Sequence, residues 1–374
     1  MSGLKRILDF LYGLGASEKE LSSNSSPVPE DIGAQEVSVP PPQEPLPPVV
    51  NPAPGDSLVS EADASSDEID LASQMGDIVP LILELEKCND EPEDEGVESS
   101  SGDVAPAREL PPFSQRRAAV SLLKGGVGKT TITCFLATAI QKIWDDSGVE
   151  DRLLVVDTDP QGSATDFFLK EENVPPELSL RALFPPYADP SGALLFHHTR
   201  YPRIDILPAH TSMADVHPTA PGQGEGCLAW FLAEAASEYS LILIDTPPSD
   251  TLALRNALMA ASGIFMPIDP SRQALKTLPQ FSKTFSKYKK RNSELKVYGV
   301  VFSRYDTRLN LDRDIRKEVS ALLKHSGLKL YEVPRRAALS ACYNNYVGYE
   351  GLDPKKESDV AKVFTDMATQ LLSV

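Results

Sequence analysis

A glycine-rich segment that ends in lysine and threonine is the strongest candidate for chemistry in this chain. It reads KGGVGKTT over residues 124–131. Glycines let backbone N–H groups curl around phosphate oxygens, and a helix that begins at the same point adds the positive end of its dipole. Lys129 is placed to reach the outer phosphates, and Thr130 to offer a hydroxyl to Mg²⁺. The residues predicted to hold the nucleotide are therefore Gly125, Gly126, Val127, Gly128, Lys129, Thr130 and Thr131.

Two later segments add the carboxylates that phosphate chemistry needs. The run LLVVDTDPQGSAT over 153–165 places Asp157 and Asp159 at the end of an apolar stretch, and LILIDTPP over 241–248 does the same for Asp245. A carboxylate beside the outer phosphate can hold Mg²⁺ through water or orient an attacking water, and phosphoryl transfer needs mainly positioning and charge neutralisation. For Asp159 an alternative stays open, because an Asp in this position also caps a following helix.

These residues must be positioned by alternating strands and helices. From residue 116 onward, short β-branched runs alternate with helical patterns, which predicts βα units and a mostly parallel sheet. Strands are predicted at 118–123, 152–157, 204–207, 241–245, 264–268 and 297–302, and helices at 129–144, 224–238, 252–261, 273–290, 309–325 and 355–372. The predicted fold class is α/β, a three-layer P-loop NTPase fold with a mostly parallel twisted sheet.

The first 112 residues differ in composition from the rest. They carry 24 Asp and Glu against 5 Lys and Arg, a net charge of −19, whereas residues 113–374 carry 30 acidic and 31 basic residues. Their Pro-, Ser- and acid-rich stretches bury too little apolar surface to offset the entropy of ordering. We predict a disordered acidic tail over 1–112 and a catalytic domain over 113–374. A short amphipathic helix is predicted at 3–14, as a frayed end or a docking peptide, and the apolar segment 77–87 is either a docking motif or folds back on the domain.

Several classes of protein are disfavoured by composition. The cysteines are isolated, without Cys-x-x-Cys pairs, which argues against a disulfide framework and a structural metal site. They are Cys88, Cys134, Cys227 and Cys342. No stretch approaches the ~18 consecutive apolar residues of a membrane span, and the N-terminus lacks the apolar core of a secretory signal. We therefore expect a cytoplasmic protein with no transmembrane segment.

The position of Lys124 carries a family resemblance. A lysine at the front of the loop, as KGG, resembles the signature lysine of the deviant Walker A class, which includes ParA, MinD and the nitrogenase iron protein. The segments 153–165 and 241–248 are similar to the next two ParA motifs, and GVVFSRYDTR at 299–308 and the region from Val333 to Lys355 resemble its C-terminal part. The resemblance, to ParA/Soj-type ATPases, covers roughly residues 118–372. The segment 178–221 matches the family poorly, so partner surfaces are expected to differ there.

The resemblance implies an activity, the hydrolysis of ATP to ADP and phosphate, with ATP and Mg²⁺ as cofactors. Lys124 would reach across a dimer interface to the partner's ATP, Asp159 would orient the attacking water, and Pro334 would pack on the adenine. The implied catalytic residues are Lys124, Lys129 and Asp159, and the implied Mg²⁺ residues are Thr130, Asp157 and Asp245.

The resemblance also implies partners. It describes a protein that forms a homodimer with ATP, positions or segregates DNA or another large cargo, binds DNA without sequence preference, responds to an activating ParB-like protein, and lies in the cytoplasm or on the nucleoid. Candidate contacts to DNA phosphates are Arg304, Arg308, Arg313, Arg316 and Lys317; Arg335, Arg336, Lys355 and Lys356; and Lys287, Lys289, Lys290 and Arg291. For each cluster a solvated helix face is the alternative.

Two other functions remain open from the sequence. One is a ParA-like regulatory ATP switch in a membrane-associated machine, such as cellulose secretion or flagellar placement, which the amphipathic N-terminus and acidic tail would suit. The other is an iron–sulfur reductase of the nitrogenase type, which needs paired cysteines at a dimer face. The scattered cysteines argue against the reductase.

Overall fold

The computed structural model describes residues 110–170, 174–184, 196–218, 222–323 and 328–373, and for residues 272–279, 318 and 322 it describes the backbone only. The described strands are β1 (Arg116–Val120), β2 (Leu153–Asp157), β3 (His197–His198), β4 (Ile204–Leu207), β5 (Leu241–Asp245), β6 (Gly263–Ile268), β7 (Lys296–Tyr305) and β8 (Lys329–Pro334). The described helices are α1 (Lys129–Ser147), α2 (Ser163–Leu169), α3 (Cys227–Ala235), α4 (Leu252–Ala260), α5 (Arg272–Lys289), α6 (Asn310–Leu323), α7 (Ala337–Asn344) and α8 (Ser358–Leu372). The helix predicted at 3–14 and the apolar segment 77–87 lie outside the described residues.

A single sheet holds these strands, in the order β3-β4-β2-β5-β1-β6-β7-β8. Neighbouring strands are parallel except β3 and β4, which are antiparallel. The runs LLVVD in β2 and LILID in β5 are buried along their whole length, which is typical of parallel strands covered on both faces. The predicted α/β P-loop fold with a mostly parallel sheet is confirmed.

Helices cover the sheet on both faces. On one face α1 packs against α8, where the ring centroids of Phe135 and Phe364 are 5.4 Å apart. These rings share one buried apolar cluster with alternate strand residues such as Ala118 and Val120 of β1. Helices α3 and α4 pack on each other, and their buried residues lie outside that cluster, on the opposite face. Truncating either phenylalanine to alanine is expected to cost about 3–5 kcal/mol of stability, because the ring leaves a cavity between two helices.

The structure corrects some predicted boundaries. Helices α2 and α7, with seven and eight residues, and strand β8 were not predicted, because so few residues give little hydrophobic periodicity. The helix predicted at 224–238 begins only at Cys227, since Gly222, Gly224 and Gly226 have φ angles of 77°, 72° and 91°. Those angles are incompatible with a right-handed helix. In the described part of the chain, no helix combines the length and the apolar character needed to cross a bilayer.

Candidate nucleotide-binding site

A cavity of about 530 Å³ lies at the carboxyl ends of the parallel strands. The loop between β1 and α1 forms part of its lining, together with Asp159 after β2, Pro248 after β5 and Arg304 near the end of β7. Ligands of α/β proteins bind at this edge of the sheet because the loops that follow the strands converge there. The volume is within the range of pockets that hold a small molecule.

Backbone N–H groups of the loop are available to a ligand. Gly126 and Gly128 have φ angles of 75° and 86°, which glycine adopts without a steric penalty. Among the described residues, no protein acceptor takes the N–H groups of residues 125–128. Helix α1 begins directly after them, and its first residues also line the cavity. The loop and the helix N-terminus therefore offer the donors and the positive dipole end that a phosphate group needs.

The Lys129 side chain lies inside this loop and lines the cavity. Its ammonium donates to the carbonyl oxygen of Lys124 at 2.8 Å. Burial lowers the pKa of Lys129, and the charges of Asp245 and Asp159 oppose that shift. Among the described residues, this hydrogen bond is to a neutral carbonyl and not to a carboxylate, so an anion that enters the cavity can become the first charged partner that Lys129 bonds to directly.

Lys124, the residue that resembles the signature lysine, is bound within its own chain. Its ammonium lies 2.7 Å from Asp269 Oδ1 and 2.6 Å from Ser271 Oγ, just after β6. The side chains of Lys124 and Asp269 are only 11% and 20% exposed, so solvent and salt screen the pair weakly. Lys124 is thus directed to the start of α5, and the predicted contact with a partner's ATP requires this pair to open.

Asp245 ends β5 and contacts the first turns of α1. Its Oδ2 accepts a hydrogen bond from Thr130 Oγ1 at 2.7 Å, and its Oδ1 accepts one from Thr133 Oγ1 at 3.1 Å. Burial raises the pKa of the Asp245 carboxyl, whereas the bond from Thr130 lowers it. A loop threonine beside a carboxylate is the pair that holds Mg²⁺ next to phosphates in P-loop proteins. The residues present therefore fit that ion.

Asp157 ends β2 directly beside Asp245 in the sheet. It is fully buried, and its carboxyl accepts hydrogen bonds from Thr165 N at 2.8 Å, Thr165 Oγ1 at 2.9 Å and Asp159 N at 3.1 Å. Because Thr165 lies in the first turn of α2, Asp157 satisfies an N–H group at the start of that helix. Burial and the charge of Asp245 raise the pKa of Asp157. Its role near Mg²⁺ stays a prediction.

Asp159 lies at the cavity, in the turn between β2 and α2. Its Oδ1 accepts a hydrogen bond from Gln161 N at 3.0 Å, so the carboxylate is held by the turn. The sequence left open that Asp159 caps the following helix, but in the structure it is Asp157 that accepts a hydrogen bond from the first turn of α2. A held carboxylate at the cavity has the position that orienting a water requires, and that role of Asp159 stays a prediction.

The other side of the cavity mixes apolar residues with polar ones such as Arg335 and Asn344. Pro334 ends β8, and Leu339 and Tyr343 of α7 also line the cavity. The Tyr343 ring stacks on Phe167 with centroids 5.4 Å apart, and its hydroxyl donates to the carbonyl oxygen of Ser163 at 3.0 Å. A wall of this kind suits a flat base, which is the contact predicted for Pro334. Tyr343 itself was missed, because α7 gave no clear periodic signal.

Two further residues missed by sequence reasoning contact the phosphate-binding loop. Ser303 Oγ donates to the carbonyl oxygen of Val127 at 2.7 Å, and Arg304 Nη1 donates to that of Gly126 at 2.7 Å. Both belong to β7 and follow its buried run GVVF. A buried apolar run followed by polar residues also located Asp157 and Asp245 at the ends of β2 and β5. The basic cluster in the sequence instead predicted that Arg304 contacts DNA.

In the described part of the chain, six of the thirteen basic residues predicted to contact DNA form ion pairs with carboxylates of the same chain. The pairs are Arg308–Asp306, Arg316–Glu332, Lys317–Asp314, Arg336–Asp359, Lys356–Asp353 and Arg291–Glu225. Exposed pairs such as Lys317–Asp314 contribute about 0–1 kcal/mol each, so a DNA phosphate could replace the acid, whereas Glu225 is only 2% exposed and its pair with Arg291 is partly buried. The local net charge is nevertheless lower than the basic clusters in the sequence suggest.

Comparisons with known proteins place the chain in a family. Residues 115–297 match the family model described as an AAA domain. The chromosome partitioning protein ParA of Myxococcus xanthus is 32% identical over 227 residues, which are 60% of this chain and 76% of that protein. The chain belongs to the ParA family of P-loop ATPases.

Solved structures agree with this assignment. McdA from Cyanothece, solved as a variant in complex with ATP, has a TM-score of 0.57 and 19% identity, covering 70% of this chain and 97% of that one. Its likeness shows the fold alone. Cobyrinic acid a,c-diamide synthase of Mycobacterium smegmatis, with bound ADP and magnesium, has a TM-score of 0.53 and 25% identity, covering 69% and 94%. Nucleotide and Mg²⁺ are thus ligands of proteins related to this ParA-family chain.

Proposed function

We propose that this ParA-family protein binds ATP and Mg²⁺ at the cavity, dimerises in that state and uses ATP hydrolysis to position or segregate DNA or another large cargo in the cytoplasm. The observation that carries the proposal is the arrangement around one cavity of the N–H groups of residues 125–128, the Lys129 ammonium and the Thr130–Asp245 pair. Together they supply the positive charge and the metal ligands that a triphosphate requires.

Each group has a distinct task in the proposed reaction. The loop amides and Lys129 bind the phosphate oxygens. Thr130 and Asp245 would hold Mg²⁺, which would supply positive charge beside the phosphates. Asp159 orients a water for in-line attack on the terminal phosphate. The products are ADP and phosphate. The rate gain comes from positioning and electrostatics.

We propose that Lys124 links ATP binding to dimerisation by contacting the ATP of the partner chain. In the single chain its ammonium is bonded to Asp269 and Ser271. Reaching a phosphate on a partner chain would exchange this ion pair for another, so the electrostatic cost of the exchange is small compared with leaving a lysine unpaired. We expect the strength of the Lys124–Asp269 pair to set how much ATP is needed for the dimer to form.

DNA is the cargo that family membership favours. A two-fold dimer would present every basic group twice, and an activating ParB-like protein is the expected partner. Because many of the arginines and lysines are paired within the chain, DNA binding is expected to require the dimer and to be sensitive to salt. The alternative is a regulatory ATP switch in a membrane-associated machine. The same intrachain pairing favours it, since it lowers the positive charge that DNA would meet.

Mobility-shift titrations with duplex DNA distinguish the two candidates. The full chain is mixed with DNA in ATP, in ADP and without nucleotide, at several salt concentrations. We expect a mobility shift only in the samples that contain ATP, without sequence preference. The logarithm of the binding constant should fall linearly with the logarithm of the salt concentration. A double variant, Arg313→Ala with Arg316→Ala, should make this dependence on salt less steep. Lys142→Ala, which lies outside the clusters, should leave it unchanged. No ATP-dependent shift at low salt would favour the regulatory switch.

A further inference from the structure

Arg304 has a backbone conformation that an ordinary surface arginine does not need. Its φ is 59°, in the left-handed region that non-glycine residues rarely adopt. The pairing of β7 with β8 shifts register between Ser303 and Tyr305, so the strand is irregular at this residue. Unfavourable backbone geometry of this kind persists where surrounding contacts hold it, and such positions cluster at ligand sites.

The contacts that accompany this geometry are with the phosphate-binding loop. Arg304 Nη1 donates to the carbonyl oxygen of Gly126 at 2.7 Å. The preceding residue, Ser303, is 2% exposed, and its hydroxyl donates to the carbonyl oxygen of Val127 at 2.7 Å. Two consecutive residues of β7 therefore hold two consecutive carbonyls of the loop, across 176 and 178 residues of sequence.

Because the peptide group is planar, these two hydrogen bonds also fix the directions of N–H groups in the loop. In a planar trans peptide, the C=O of one residue and the N–H of the next point in opposite directions. Holding the carbonyl of Gly126 therefore fixes the direction of the Val127 N–H, and holding that of Val127 fixes the N–H of Gly128. Within the described chain, neither N–H has a protein acceptor.

We propose that Ser303 and Arg304 are positioning residues for nucleotide binding, which hold the carbonyls of Gly126 and Val127 so that the N–H groups of Val127 and Gly128 are set for phosphate oxygens. The inference rests on the proposed nucleotide site and names the residues that preorganise it. Preorganised donors bind an anion more tightly because no loop ordering is required when it arrives. The left-handed backbone at Arg304 is the conformational cost of bringing its guanidinium to the loop.

Substitutions at the two positions test this proposal, and Arg304→Gly should lower ATP affinity without lowering stability. Arg304→Gly removes the guanidinium and also removes the unfavourable φ, since glycine adopts +59° readily. We expect ATP affinity, from a calorimetric titration of the full chain with Mg²⁺ and ATP, to fall about tenfold, as loss of one charge-assisted hydrogen bond predicts. The melting temperature without nucleotide should stay the same or rise.

Conservative variants and a matched control complete the experiment. Arg304→Lys and Ser303→Thr keep a donor and should retain most of the affinity, whereas Ser303→Ala should lower it about two- to tenfold, as loss of a neutral hydrogen bond predicts. Arg203→Ala removes an arginine that pairs with Asp145 and is outside the cavity, and should leave ATP affinity unchanged.

The outcomes separate this inference from the function on which it rests. A parallel loss of melting temperature and affinity in Arg304→Gly would show a structural role and overturn the inference. So would ATP affinities equal to wild type in both Arg304→Gly and Ser303→Ala. Failure of the wild-type chain to bind ATP would overturn the proposed nucleotide site as well.

Discussion

The phosphate side of the cavity and the basic surface, meaning the residues proposed to contact DNA at 304–317, 335–336 and 355–356, are both rich in charge, but they are built differently. At the phosphate side, Asp245 is fully buried and hydrogen-bonded to two threonines of α1. On the basic surface, the Arg308 side chain is 86% exposed and is paired with Asp306 two residues away. Buried charges are weakly screened and costly to leave unpaired, whereas exposed pairs contribute little. The candidate nucleotide site is therefore tied to the fold, whereas we expect the residues proposed to contact cargo to tolerate change with little effect on folding.

Lys129→Ala is expected to have the largest effect, because it removes the cavity-lining ammonium that bonds only to a backbone carbonyl. Losing a charge-assisted contact to phosphate in a weakly screened site should weaken ATP binding by about 100-fold or more. The measurement is a titration with ATP and Mg²⁺. Lys142→Ala, which removes an exposed lysine paired with Asp146, is the control and should bind as wild type. Equal affinities in the two variants would contradict the site.

Asp269→Asn tests the partly buried pair that holds Lys124 in its own chain. Weakening this pair should release Lys124 and lower the ATP concentration at which dimers form by about three- to tenfold, since one charge interaction of about 1 kcal/mol is lost from the monomer. Sedimentation velocity across an ATP series measures this. Asp146→Asn, which breaks the exposed pair with Lys142 outside the cavity, should change nothing. A shift equal in both variants, or absent from Asp269→Asn, would contradict the assignment of Lys124.

Asp157→Asn is expected to change how stability depends on pH. Burial raises the pKa of Asp157 above that of the unfolded chain, to about 8, so the folded state binds the proton more tightly. The free energy of unfolding should therefore decrease as pH rises from about 4 to about 8, and this loss is complete above the folded pKa. Asp157→Asn stays neutral and should flatten the decrease in melting temperature over pH 5–8, measured without Mg²⁺. The same slope in both proteins would show that another group titrates.

Removing the acidic N-terminal region should have the smallest effect on the chemistry. Every phosphate motif lies beyond residue 112, and the region carries a net charge of −19 with few apolar residues. The deletion is best made over residues 1–109, because Leu110 lies close to Gly226, 3.7 Å from where a Cβ would be. We expect basal ATP turnover within about twofold of the full chain. Loss of folding or turnover would show that the apolar segments 3–14 or 77–87 belong to the domain.

Most of the candidate nucleotide site could be predicted from the sequence, because each segment that forms the site is short and continuous. The run from 124 to 131 specifies a loop before a helix, and buried strands that end in Asp157 or Asp245 place acids at one edge of the sheet. These features depend on residue type and spacing over fewer than ten positions, as the strand and helix patterns do. For this reason the order of loop, β2 and β5 motifs was enough to predict the fold.

The rest depended on contacts between distant segments. Nothing near Lys124 in the sequence indicates a bond to Asp269, and Ser303 and Arg304 meet the loop only because β7 and β1 lie near each other in the sheet. The pairing of Arg316 with Glu332 was equally hard to predict, since the two residues are 16 positions apart on different elements. The sequence therefore did not reveal how much of the basic charge is paired within the chain, and the contacts of Ser303 and Arg304 with the loop were missed.

The most direct test of the central claim is the mass in solution of the full-length Asp159→Ala variant, measured by light scattering with Mg²⁺ and either ATP or ADP. Because this variant lacks the carboxylate that we propose orients water but keeps Lys124, Lys129 and Thr130, it should accumulate the ATP state. We predict the mass of two chains in ATP and of one chain in ADP. Adding Lys124→Ala should return the ATP sample to one chain while ATP binding persists. A monomer that has bound ATP, or a dimer that survives Lys124→Ala, would contradict the account.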